Sequence, residues 1–367
     1  MSEQVVLNSL CVGKIDVLST SADGDIDYFD ISSVDNANKR IIAHQTMRAK
    51  DAPSRAKQLV RTDDILVSTV RPNLNAVAMV NSNTGNTMVA STGFCVLRAN
   101  ARADPHYLFH FVQSSRFVEA MVSQATGASY PAVSNSIVKN CSIPLRDLPT
   151  QRRIATTLDK VSEGIALCKQ MLVDLDELVK SQFVEMFGTV HNNVFQFAEG
   201  TLESISYGFF AGGDKPSDCT TERDEAHPYP VFANGYENEG LQGYSAKCRV
   251  TQPAVTVSAR GTIGYCYIRE AGFTPVVRLI TIVPNNKVSP VFLKYAIDTM
   301  DIKSSGTSQA QLTVPDFKRE RIIVPPADLQ GQFAAFVSQA DKSKFVVQQQ
   351  MAELETLKKS LMQKYFG

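Results

Sequence analysis

From Ile154 onward, apolar residues recur at Leu158, Val161, Ile165, Cys168, Leu172, Leu175 and Val179. The steps alternate between four and three, the spacing of a heptad seam on a long helix. Pro149 and Thr150 stand where a helix entry belongs, and Gly188 stands where a stop belongs. A helix over residues 149–188 is therefore expected. Shifted by 179 residues, the seam falls on Phe333, Val337, Ala340, Lys344, Val347, Met351, Leu354 and Lys358. Only Lys344 and Lys358 interrupt its apolar character, and Gly331 weakens its start. With Asp328 as a candidate N-cap, a second helix is expected over 328–367. Each would hold roughly 36–38 residues, or about 55 Å. Neither can bury its seam alone. Two matched heptads in one chain most simply form an antiparallel coiled coil; the alternative is that each helix folds back on its own globular neighbour.

The 179-residue offset is part of a wider duplication. Ser181-Gln182-Phe183-Val184-Glu185-Met186-Phe187-Gly188 and Ser360-Leu361-Met362-Gln363-Lys364-Tyr365-Phe366-Gly367 share their first residue and their Phe-Gly ending. Gln151 matches Gln330, and Leu175 matches Leu354. With small gaps, Thr126-Gly127-Ala128-Ser129-Tyr130 resembles Ser305-Gly306-Thr307-Ser308-Gln309. Likewise, Asp64-Ile65-Leu66-Val67-Ser68 resembles Ala254-Val255-Thr256-Val257-Ser258. The expected order is a globular part (1–148), a helix (149–188), a second globular part (189–327) and a second helix (328–367). Short apolar runs bounded by polar turns predict strands in each globular part. Asp104-Pro105 predicts a helix running to about Gln124, and Ser289-Pro290 predicts its counterpart. The fold class is α+β, a pseudo-two-fold repeat whose two globular parts are each α/β with mixed short strands.

Composition narrows the function. Hydrophobic residues make up 44% and charged residues 20%, enough for packed cores and against disorder. Lys+Arg and Asp+Glu both number 37, which excludes a uniformly basic coat. The charge is nevertheless segregated. Residues 1–38 carry Glu3 and six Asp against Lys14, and residues 39–71 carry eight cations against Asp51, Asp63 and Asp64. That basic segment is interleaved with Ser54, Gln58, Ser68, Thr69, Asn73 and Asn75. Arg, Lys, Asn and Gln are the side chains that read base edges, and Lys, Arg and Ser/Thr hold phosphates. An ordinary solvated face is the competing reading. In the second half an Arg again follows the matching strand, in Ser258-Ala259-Arg260-Gly261-Thr262.

No phosphate loop, nucleophile elbow or zinc-ligand cluster is present in the sequence. The seven cysteines are scattered without a C-x-x-C pair, and His106 and His110 lack the Glu of a zinc-protease helix. No signal peptide or membrane-length apolar run is recognised, so a cytoplasmic location without membrane contact is expected.

On these residues the chain resembles the specificity (S) subunit of Type I restriction-modification systems. The resemblance covers nearly the whole chain. It rests on the repeat of globular part plus long helix and on the wording of each half. In the first half the wording is Ala52-Pro53-Ser54-Arg55-Ala56, Ser68-Thr69-Val70-Arg71-Pro72-Asn73-Leu74 and Leu148-Pro149-Thr150-Gln151-Arg152-Arg153. In the second it is Tyr229-Pro230-Val231-Phe232-Ala233-Asn234-Gly235 and Ser258-Ala259-Arg260-Gly261-Thr262-Ile263-Gly264. The resemblance implies two target-recognition domains, each reading one half of a split asymmetric site in double-stranded DNA. It implies a helix pair that sets the spacer and docks two methyltransferase (M) subunits, with restriction (R) subunits beyond. S-adenosylmethionine, ATP and Mg would belong to those partners; no cofactor, metal or catalytic residue is expected in this chain. The residues expected on DNA are Arg55, Lys57, Ser68, Arg71, Asn73 and Asn75 in the first domain. In the second they are Lys215, Arg260, Thr262, Gln309 and Gln311. A coiled-coil scaffold that binds only protein and a diverged DNA-modifying enzyme are the alternatives.

Overall fold

Ile65, Leu66 and Val67 are three apolar residues in a row because their strand is buried on both faces. The computed structural model describes residues 3–19, 21–81, 85–189, 192–300, 302 and 311–367. The chain forms two compact units, Met1–Lys169 with Gln348–Gly367, and Gln170–Val347.

In the first unit the strand Ile65–Ser68 lies between Phe94–Leu97 and Val77–Met79 in an antiparallel three-stranded sheet. Ile65, Val67, Val77 and Leu97 face a helical layer that includes Leu108 and Phe111. Leu66, Ala78 and Val96 face the other way, onto Phe29, Met88 and Ala90 of a four-stranded sheet. That sheet runs in the order Gln45–Arg48, Asp25–Phe29, Thr87–Ser91, Ala56–Leu59, with its central pair parallel. The helix expected from Pro105 to about Gln124 is two helices, Pro105–Phe111 and Ser115–Ser123. Ser114 divides them, its hydroxyl accepting the Phe117 amide at 3.2 Å as the second helix's N-cap.

In the second unit the strand Ala254–Val257 lies between Ile280–Pro284 and Cys266–Arg269, with Ser206–Ala211 outermost. Val255, Val257 and Ile282 pack with Phe292, Leu293 and Ala296 of the helix Pro290–Asp298. A smaller sheet orders Leu241–Ser245, Tyr229–Phe232 and Thr274–Pro275.

The long helices are Leu148–Phe187 and Ala327–Phe366, 40 residues each. Asp147 receives the Thr150 amide at 2.7 Å at the first helix's start. Asp328 lies inside the first turn of the second helix rather than capping it, since that helix already begins at Ala327. Both seams face inward: Leu158 and Val179 are fully buried, as is Phe333. Within the first unit, a Cβ on Gly164 would come 3.1 Å from Leu354. Within the second, Phe183 meets Phe333 and Lys344 meets Asp176. Rising numbers on one helix thus pair with falling numbers on the other, an antiparallel pairing. Lys344 occupies a seam position because its ammonium lies 2.6 Å from Asp176 and 3.5 Å from Asp341.

The repeat is visible in the joints. Gln151 is fully buried; it accepts the Asp104 amide at 2.9 Å and donates to the carbonyls of Arg102 and Arg146. Gln330 accepts the Ser289 amide at 2.7 Å and donates to the carbonyls of Lys287 and Pro325. Each glutamine ties the start of a long helix to the cap of a shorter one. Phe366 ends one long helix in the first core, against Tyr107 and Phe111. Phe187 ends the other in the second core, against Phe292 and Phe333.

Candidate nucleic-acid interface

In the first unit, the strand Ile65–Ser68 delivers the chain to a loop-rich edge. Ser68 is buried, and its hydroxyl is spent locally, donating to the Val70 carbonyl at 3.0 Å. It shapes the strand's exit rather than facing a ligand. Arg71 follows in the left-handed region with φ 48°. Its amide donates to Pro131 at 2.7 Å, and its guanidinium lies over the exposed Tyr130 ring, 4.9 Å from the centroid. Asn73 is exposed on the short turn Pro72–Leu74. Asn75 closes that turn with φ 46°; its side-chain amide donates to Val112 at 2.9 Å, so it holds the turn to the helical layer. Arg55 belongs to the same edge. Its carbonyl accepts the Thr92 amide, and the neighbouring Gly93 carbonyl accepts Thr69. Arg55 is exposed and Lys57 half-buried.

The segregated charges partly cancel. Arg40 lies 3.9 Å from Asp35, Arg48 lies 3.4 Å from Asp25, and Lys39 donates to the Asn75 carbonyl. Gln58 is likewise spent, on the Ser91 and Phe94 carbonyls. The basic segment is therefore not one continuous face. Arg55, Asn73 and Arg71 remain outward on the loop edge.

In the second unit Asn234 is the organiser, and its role is absent from the sequence reading. Its carbonyl oxygen accepts the Ala259 amide at 2.7 Å, and its amide donates to Val277 at 2.6 Å. Three loops are thereby tied together. Val277 and Arg278 both hold positive φ, 52° and 60°. For a β-branched residue that is a strained conformation, of the kind that clusters at functional sites. Arg260 and Gln311 are brought together: the guanidinium donates twice to the Gln311 side-chain oxygen, at 3.3 and 3.1 Å. Thr262 has a buried hydroxyl with no hydrogen-bond partner among the described residues. Lys215 is exposed and donates to the Gln242 carbonyl at 3.3 Å. Gln309 lies outside the described residues. Tyr236 and Tyr265, also missed, form an exposed ring pair 5.8 Å apart beside these loops. Exposed aromatics next to the Asn-Gly and Gly-Tyr pairs were the available signal.

The two edges share a frame. Val133 donates its amide to Thr69 at 2.8 Å, and Ser134 then caps a short helix. Leu312 donates to Ala259 at 3.0 Å, and Thr313 then caps the matching helix. Each frame sets an Arg, one or two residues on from that bond, beside the segment leading into the short helix. Guanidinium groups so placed can donate to phosphates or to base edges.

The His pair is structural. His106 Nδ1 lies 2.9 Å and His110 Nε2 lies 2.7 Å from Asp159 of the first long helix. Burial pushes the Asp159 carboxyl up, but the two histidine hydrogen bonds outweigh it and hold it well below the usual range. Its hydrogen bond to Asp159 raises His106, whereas burial lowers His110. Among the described residues no group of three side chains could hold a metal ion, and no helix is long and apolar enough to cross a membrane.

A family model for the Type I restriction modification DNA specificity domain matches residues 12–176 and 209–356. S.MpnORF507P of Mycoplasma pneumoniae, named as a type I specificity subunit, is 28% identical over 207 residues, 56% of this chain and 57% of that protein. The matches span about half the length of such curated relatives. A solved structure described as the basis of complex assembly and conformational transition of the type I R-M system aligns with 99% of this chain and 97% of its own. Its TM-score is 0.63 at 25% identity. The S subunit from M. genitalium shares the fold, with a TM-score of 0.62 at 15% identity over 100% of this chain and 96% of that one.

Proposed function

The chain belongs to the Type I restriction-modification DNA specificity family, and on that premise we propose that it is the sequence-reading subunit of such a system. Residues 1–148 and 189–327 each read one half of a split asymmetric site in double-stranded DNA. The helices 149–188 and 328–367 set the spacer between the halves and dock two methyltransferase subunits, which restriction subunits join. The chain is not itself an enzyme. S-adenosylmethionine, ATP and Mg serve the partner subunits, and the complex works in the cytoplasm.

The observation that carries this reading is the repeated frame. Arg71 and Arg260 stand at matching places, yet their neighbours differ: Tyr130 beside one, Gln311 beside the other. A common scaffold with different edge chemistry suits two half-sites of different sequence. Exposed apolar residues on the helices support docking of partners: Leu167 and Leu357 in the first unit, Phe345 and Val346 in the second. A protein-only scaffold has no use for two loop edges that each present an Arg.

The test is methylation by the complex of this chain with its own methyltransferase subunits. Arg71→Ala should abolish methylation at every site, because one half-site goes unread. A shifted or relaxed motif would assign that Arg to base readout alone, and unchanged methylation would remove it from the interface. DNA binding should also weaken steeply with salt; binding to DNA that is absent at all salt concentrations would favour the scaffold. Turnover of DNA by the purified chain alone would favour the enzyme. Insertions in both helices should change the tolerated spacer.

A further inference from the structure

Within the first unit, a cavity of about 690 Å³ lies between the start of the helix Ser115–Ser123 and the last turns of the second long helix. Its lining includes Lys39, Lys358 and Lys359, with Ser115, Thr356 and Gln363 adding polar groups. Lys39 and Lys358 are half-buried. No carboxylate oxygen lies within ion-pair distance of any of the three ammoniums among the described residues. The acids around them are engaged elsewhere or stand apart. Asp35 lies 3.9 Å from Arg40, Asp159 is held by the two histidines, and Glu355 lines the cavity with no ion pair among the described residues. A fourth cation, Lys169, is held at the side by the Asn38 side chain at 3.1 Å.

Like charges crowded into a partly dry pocket are costly. Burial, and then the charge of Lys358, push Lys39 down to about 8, against Asp35, which raises it. Burial and then Lys169 lower Lys358, against Asp159, which raises it. A bound anion would remove that cost. Lys binds phosphate as a compact point charge, and several ammoniums in one cavity match a multiply charged phosphate better than a single carboxylate. The volume is that of a small-molecule site.

We propose that this cavity, lined by Lys39, Lys358 and the exposed Lys359, is a binding site for a phosphate-bearing small anion. The site adjoins the recognition turn, since Lys39 also donates to the Asn75 carbonyl at 2.5 Å. Neither the cavity nor its ligand depends on the DNA-reading role.

The experiment is amine-acylation footprinting of the full chain, read lysine by lysine by mass spectrometry, with pyrophosphate and ADP as probes and no DNA present. Either probe at about 1 mM should protect Lys39 and Lys358 at least tenfold and leave Lys342 unprotected, as expected for a dissociation constant well below 1 mM. By calorimetry, a Lys39→Met, Lys358→Met double variant should weaken binding at least tenfold, while Lys342→Met should not. Circular dichroism would show that the double variant folds. No protection by either probe at about 10 mM, or equal protection at Lys342, would overturn the proposal. Protection by duplex DNA alone would overturn it too, because the lysines would then be DNA-backbone contacts; a fall of about two in the salt slope of the double variant, roughly one for each lysine removed, would mark that case.

Discussion

The two units hold their helices with the same parts and present different loops. Gln151 and Gln330 make the same three kinds of hydrogen bond, and Phe366 and Phe187 end the helices in the two cores. At the edges the likeness stops. Arg71 lies over an aromatic ring, whereas Arg260 is held by a glutamine. Buried joints admit few solutions, because an unpaired amide or a cavity is costly there. An exposed loop that contacts a ligand carries no such constraint. Similarity is therefore expected to track burial and difference to track recognition.

The largest effects should come from the joints. Phe366→Ala removes a fully buried ring from the first core and should cost about 3–5 kcal/mol. Phe187→Ala should cost a similar amount in the second. Denaturant unfolding followed by hydrogen exchange would assign each loss to its own unit, and losses in the opposite units would break the correspondence. Gln151→Ala and Gln330→Ala should each cost about 2–3 kcal/mol, because each leaves a buried amide unpaired. A large difference between them would show that the joints are alike in geometry but not in energy.

A smaller effect separates the units. The first has His106 and His110 on Asp159; the residue 179 places after Asp159 is Ser338. His106 is raised by its hydrogen bond to Asp159, so its contribution is full below about pH 6.5 and is lost as pH rises through its folded value. Asp159 is depressed, so its part is present above about pH 4 and is lost as pH falls. His110 runs opposite to His106: burial favours its neutral form, which stabilises above about pH 6.5 and less so as pH falls. His106→Asn should therefore cost up to about 1 kcal/mol at pH 5–6 and nearly nothing at pH 9, in the first unit only. A pH-independent cost would mean that His106 acts through packing. The smallest effect on stability belongs to the edges. Gln311→Ala and Tyr130→Ala should change stability by less than about 0.5 kcal/mol while lowering DNA affinity.

The sequence made the scaffold legible and left the interface only partly so. The heptad steps from Ile154 to Val179 survive because a long seam repeats one requirement many times. The break at Ser114 was hidden, since Val112 and Phe117 continue the apolar pattern across it. The pairing of Arg260 with Gln311 spans 51 residues, which no local pattern reports. Ser68 and Asn75 have the composition of DNA contacts, but their hydrogen bonds go to Val70 and Val112. Side-chain type alone does not distinguish a polar group facing a ligand from one closing a turn. The same limit concealed Asn234, a loop residue by sequence and the tie between three loops in space.

The most direct test maps methylated adenines in a host lacking other methylation. This chain is co-expressed there with its own methyltransferase subunits, once unaltered and once with residues 258–264 replaced. The expected result is a split motif with two short defined halves around a fixed gap, and in the altered chain either one half changed with the other kept, or no methylation at any site because one half goes unread. A continuous motif, or a replacement that rewrites both halves, would contradict the assignment of one half-site to each unit.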